Sequence, residues 1–177
     1  MAELEIHHEH GHEESDPLGK TIGIMAAVLA VLLAIVTIMS HRAHTEGVLL
    51  KTDANDKWSY YQANRIKFHN LELGTDLINA LPKDRSPEAA ETLSRYAKDK
   101  QKYSKQAEKI QEEAKALEDE TTALEKRALR YDFGEGLLEI GLILTSLYFI
   151  SKSKMFPTVG LIASLGGIAL ALSGFLM

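Results

Sequence analysis

Two acidic side chains stand where a carboxylate is hardest to keep. Glu135 and Glu139 lie in the apolar run from Tyr131 to Ile150, whose charge-free part, 140–151, is only twelve residues long. To cross a hydrocarbon core of about 30 Å, a helix built from this run must carry Glu139, and with it Glu135, to some depth. An acid there costs about 2.5–3.5 kcal/mol unless it is paired, protonated or wet. Ser40-His41-Arg42-Ala43-His44 closes the first apolar run and should lie at nearly the same depth. The expectation is that Glu135 pairs with Arg42 or His44. Glu139, one turn deeper, should turn toward the helix bundle, with His41 as its nearest donor. A buried acid of this kind is the chemistry of a small transport or channel-type component. A glutamate that snorkels to the headgroups does no chemistry at all.

The other residues capable of chemistry are His7, His8, His10 and His12, which alternate with Glu9, Glu13 and Glu14 in a tail of residues 1–20. Neutral imidazole is a good ligand for Zn, Ni or Cu. Nothing apolar fixes these side chains in place, so a disordered, solvated acidic tail accounts for them equally well. Metal sensing is therefore the lesser expectation. No catalytic, cofactor or metal site is assigned. The chain holds no phosphate loop and no Ser/His/Asp set on rigid elements. It also lacks cysteine, which removes thiolate and disulfide chemistry.

The elements that must position these groups are helices. Residues 21–40 contain no Asp, Glu, Lys, Arg or His, and neither do residues 155–177. At about 1.5 Å of rise per residue, about twenty residues span a bilayer. These two segments and 133–151 are expected to form three transmembrane helices. The first has no basic start and no small-residue cleavage site, so it reads as a retained anchor rather than a signal peptide. In the last, Gly160, Ser164, Gly167, Ala171 and Gly174 recur at four-three spacing, a strip on which membrane helices pack closely.

Between the first two spans, residues 41–132 read as a long helical hairpin with its turn at 81–87. Pro82 stops the incoming helix. Ser86 caps the next one, Pro87 suits its first position and Glu88 favours the positive end of the helix dipole. The returning helix carries a seam at 89, 93, 96, 100, 103, 107, 110, 114, 117, 121, 124, 128 and 131, in which only Lys100 and Thr121 are neither apolar nor aromatic. That alternation predicts a coiled-coil partner, most simply the incoming arm. On that arm Trp58, Tyr61, Ile66, Phe68, Leu73 and Leu77 should share a broad face. Lys/Glu-rich outer faces such as 111–115 read as solvated. The fold class is thus an all-α membrane protein: three transmembrane helices, with an antiparallel coiled-coil hairpin between the first and second.

Charge supports this layout. Residues 1–20 hold six acids against one lysine, while 41–133 hold seventeen of each sign. A neutral middle argues against a nucleic-acid partner. The partners expected are the bilayer and either further copies of the chain or another membrane protein. Near the membrane the hairpin side has Arg42, Lys51, Lys126, Arg127 and Arg130; the other side has Lys20, Lys152 and Lys154. Positive-inside counting leans toward a cytoplasmic hairpin, with the C-terminus on the same side.

At Asp56-x-Trp58-x-Tyr60-Tyr61-Gln62-Ala63-x-x-Ile66-Lys67 the chain resembles a bacterial membrane family of unknown function. The resemblance implies a His/Glu-rich tail, one membrane helix, a long helical insert carrying this segment and a C-terminal membrane hairpin. It implies no activity. The reading that follows is a membrane-anchored structural, assembly or interaction protein of the bacterial inner membrane.

Overall fold

A computed structural model describes residue 16 through Ala80 and Ser86 through Met177. Among the described residues the structure is all helical: α1 (Pro17–Ala80), α2 (Pro87–Ser146), α3 (Tyr148–Ser151) and α4 (Met155–Phe175). The tail of residues 1–15 and the expected turn around Pro82 fall outside the described residues.

The helix ends follow local chemistry. Asp16 precedes Pro17 and accepts the Gly19 N–H on Oδ1 at 2.8 Å, an N-cap with proline in the first helical position. At the start of α2 the Ala89 N–H reaches the Ser86 hydroxyl at 3.4 Å. Ser86 also holds the Glu88 carboxyl below its usual range. α2 stops at Ser146 and α3 adds one further turn, with Leu147 between them in helical dihedrals, φ −63° and ψ −17°; Lys152 then takes a left-handed conformation, φ 56°. Its N–H closes on the Tyr148 carbonyl at 2.8 Å.

The chain forms two compact units. An apolar unit takes the chain through Thr37 together with Phe133–Ser173; a polar unit takes Ile38–Asp132 and Gly174–Met177. Both α1 and α2 contribute to each. Among the described residues, three helices contain stretches long and apolar enough to cross a membrane: α1, α2 with α3, and α4.

In the polar unit α1 packs on α2. Ser40 meets Asp132, Lys57 meets Glu113, the Lys67 ammonium lies over the Tyr103 ring and the Lys100 ammonium over Phe68. Residue numbers rise on α1 as they fall on α2. The α2 seam from Ala89 to Tyr131 is turned inward, with none of its positions exposed and Ala107, Ala114, Thr121, Ala128 and Tyr131 fully buried. The matching α1 stripe steps through Ser40, Ala43, Gly47, Leu50, Ala54, Lys57 and Tyr61, with none exposed. The broad aromatic face expected on α1 is only partly formed. Trp58, Tyr61 and Phe68 are half-buried, whereas Ile66, Leu73 and Leu77 are about 60 % exposed. The reason is angular: Ile66 and Leu73 lie five residues beyond Tyr61 and Phe68, and Leu77 nine beyond Phe68, about 140–180° around the helix from that line.

Candidate functional site

Four helix contacts make up the centre of the apolar unit. Gly134 lies against Ala171, Leu138 against Gly167, Gly141 against Ser164 and Thr145 against Gly160. All eight positions are buried. The approach leaves no room for side chains. A Cβ on Gly160 would lie 2.6 Å from the Gly141 carbonyl oxygen, and a Cβ on Gly167 2.6 Å from that of Gly134. A Cβ on Gly141 would fall on the Ser164 hydroxyl. The strip expected on α4 therefore meets a matching strip on α2. That partner strip, Gly134-x₃-Leu138-x₂-Gly141-x₃-Thr145, was legible as four-three spacing. Gly174, the last member of the α4 strip, belongs to the polar unit, where a Cβ would lie 3.1 Å from the Tyr131 ring.

Two polar atoms sit inside this contact. The Ser164 hydroxyl donates to the Gly160 carbonyl at 2.9 Å. The Thr145 hydroxyl is fully buried and, among the described residues, has no hydrogen-bond partner. It lies against the Gly160 α-carbon, since a Cβ added there would be 2.7 Å from the Thr145 oxygen. A weak Cα–H···O contact is what that position offers.

The expected ion pairs are replaced by other partners. Glu135 accepts a hydrogen bond from the Thr37 hydroxyl at 2.7 Å. His44 reaches Asp132 instead, its Nε2 3.0 Å from Oδ2. Asp132 also accepts from the Ser40 hydroxyl at 2.5 Å. Glu139 is exposed rather than turned into the bundle, and among the described residues it has no hydrogen-bond or ion-pair partner. His41 is exposed as well; with Arg42 it lines a surface groove of about 390 Å³ made by α1 alone. The physical reason is register. Thr37 with Glu135 and Ser40 with Asp132 are equivalent steps, and the same step carried further sets Glu139 at the level of Leu33. His41 is about two helical turns away from that level. Asp132 and Thr37 were missed because a carboxylate and a hydroxyl flanking an apolar run look like ordinary ends of it.

A second polar cluster, also missed, ties the start of α1 to the end of α3. The Tyr148 hydroxyl donates to Asp16 Oδ2 at 3.2 Å, and Lys152 Nζ lies 3.5 Å from the same oxygen. The Gly19 N–H, helped by Tyr148 and Lys152, holds the Asp16 carboxyl below the usual aspartate range. Its signal in the sequence was the Asp-Pro pair that opens α1.

In the polar unit the contacts bridge α1 and α2. Lys57 pairs with Glu113, Trp58 Nε1 donates to Glu118 at 2.8 Å, and the Lys100 ammonium lies 5.5 Å from the Phe68 ring centre. Lys57 holds the Glu113 carboxyl below its usual range. No three metal-ligating side chains converge among the described residues. The tail's His8-Glu9-His10-Gly11-His12 has the His-Glu-x-x-His spacing, which does zinc chemistry only on a helix that brings both imidazoles to one face. It lies outside the described residues, with His7 and the rest of the tail.

These contacts define the class: a protein whose described residues are all helical, with three helices among them able by length and composition to cross a membrane, one of them locked to another through glycine. The chain belongs to the family described as Domain of unknown function (DUF4337), which matches residues 18–177. No curated protein and no solved structure matches it.

Proposed function

We propose that this is a membrane-anchored structural or assembly protein of the bacterial inner membrane, without catalytic activity. Segments 21–40, 133–151 and 155–177 serve as spans, and 41–132 as an antiparallel coiled-coil hairpin that holds partners or further copies. The observation that carries this reading is the glycine contact between α2 and α4. In lipid, apolar side chains gain little by leaving one oily surface for another, so helices associate where small residues let backbones touch. The opposed numbering of the α1–α2 contacts supports the hairpin. The charge count leans toward a cytoplasmic hairpin.

Three measurements test this. Carbonate washing should leave the protein in the membrane pellet, and release into the wash defeats the anchoring. A phosphatase fused after Met177 should be inactive; periplasmic activity reverses the orientation. Crosslinking in native membranes should yield one stable oligomer or partner complex, and a solely monomeric product argues against assembly.

The alternative reading, a small transport component using Glu139, loses support because that acid is exposed rather than turned into the bundle. Glu139→Gln decides between them. Loss of proton or cation flux in liposomes at unchanged stability selects transport. Unchanged flux leaves the structural reading in place.

A further inference from the structure

The face of α1 turned away from α2 is apolar where water should meet it. Ala63, Ile66, Asn70, Leu73, Leu77 and Ala80 are all exposed and follow one another at alternating three- and four-residue steps, with no charge among them. Ile66, Leu73 and Leu77 are each about 60 % exposed. Such spacing keeps the six on one face, about half a turn from the line through Tyr61 and Phe68 that meets α2. A heptad stripe is what a helix presents to another helix, and among the described residues nothing covers this one.

Three features point to its occupant. The first is direction. α1 is one helix from Pro17 to Ala80 and includes the proposed span 21–40, so copies anchored in one membrane carry it in parallel. The second is Asn70, whose amide has no hydrogen-bond partner among the described residues. A lone asparagine in an apolar heptad stripe is satisfied by its own equivalent: in a parallel pair in register the two amides face each other, and each donates to the other's carbonyl. The third is charge. In that register Gln62 lies beside Lys67 of the second copy, and His69 beside its Gly74, so no like charges meet along the flanks. The outward line of α2, with Arg95, Lys98, Lys102, Lys105 and Lys109, would instead set cation on cation.

We propose that this face of α1 packs on the same face of a second copy of the chain, parallel and in register, as a two-stranded coiled coil. This names a partner for the assembly role above and rests on that reading. A shift by one heptad would bury both Asn70 amides without partners and set the two spans about 10 Å apart in depth. Asp56, one heptad below Ala63, faces itself and bounds the contact on the membrane side.

The chain has no cysteine, so each introduced thiol reports one contact. Full-length Ile66→Cys and Leu73→Cys proteins with tags of different size are co-expressed and oxidised in native membranes. The 66–66 and 73–73 disulfide dimers are expected in about tenfold excess over the 66–73 product. A 66–73 product in equal or greater yield marks an antiparallel or shifted pair and overturns the proposal. Absence of any disulfide dimer of this chain also overturns it and gives the face to another protein. Asn70 supplies the second arm. Asn70→Asp in both copies should cut the 73–73 product about tenfold, because like charges then face each other. One copy carrying Asn70→Asp and the other Asn70→Lys should restore it. Failure of that rescue, in variants whose circular dichroism matches the parent, overturns the proposal. Anchoring is read separately by carbonate washing of the same variants. Proteins that stay in the membrane pellet but do not crosslink refute the pairing alone, whereas release by carbonate refutes the anchoring on which it rests.

Discussion

In the apolar unit α2 and α4 meet backbone to backbone; in the polar unit α1 and α2 meet side chain to side chain. Glycine shows the difference. At Gly160 and Gly167 a Cβ would lie 2.6 Å from a carbonyl oxygen of the facing helix. At Gly47 in the polar unit the nearest atom to such a Cβ is Leu124 Cδ2, at 3.9 Å. One contact is limited by backbone, which does not give way; the other is limited by side chains, with ordinary space at Gly47 and the Tyr96 ring 2.7 Å from a Cβ at Gly74. A water-exposed pair of helices is held by burying apolar side chains and by setting charges across the rim. Helices already in an oily solvent gain from close approach itself. That contrast supports the proposed division into membrane anchor and hairpin.

Substitutions sharpen that contrast. The largest effect is expected from Gly167→Leu, which forces a four-carbon side chain between the Gly134 carbonyl and Leu138. It should cost about 3 kcal/mol or more in detergent melts, while Leu165→Ile, at an exposed site, leaves them unchanged. Equal behaviour of the two would remove the glycine argument. Gly160→Ala adds a single methyl against the same kind of wall and should cost about 1–3 kcal/mol. Gly47→Ala should do the reverse. Its methyl fits, and alanine is the better helix former by about 1 kcal/mol, so thermal stability rises. A loss there would show that the polar unit is as tightly closed as the apolar one.

The smallest effect concerns Lys57 and Glu113, whose side chains are 40 % and 38 % exposed. Because the folded carboxyl titrates below its usual range, its contribution is present above the ordinary glutamate value. It is lost as pH falls through the lowered folded value. Melts of the parent and of Glu113→Gln should therefore differ near neutral pH and converge in acid. A gap that persists into strong acid would mean that the pair is not its source.

How much of this was legible varied with what each residue announces about itself. The α2 seam was readable because Leu, Tyr, Ile and Ala repeat over it with two interruptions. The α1 stripe facing it was not, because Ser40, Gly47 and Lys57 occupy positions turned toward α2 while Ile66, Leu73 and Leu77 face outward. Lys57 belongs there because its stem covers apolar surface and its head finds Glu113. The α4 strip was visible in its small residues. The partners of Glu135 and His44 were not, since depth counted along each helix separately does not fix register between two. A shift of two turns exchanged His41 for Leu33 opposite Glu139.

Trp58, the one tryptophan in the chain, is half-buried, stands edge-on to Tyr61 with ring centres 5.5 Å apart and donates across to Glu118. Its fluorescence is thus a built-in reporter for the α1–α2 contact. Prising these helices apart hydrates the indole and shifts its emission to the red. Loosening the α2–α4 glycine contact leaves its surroundings as they were. A denaturation followed by tryptophan emission and again by circular dichroism would separate the two units optically, without a label.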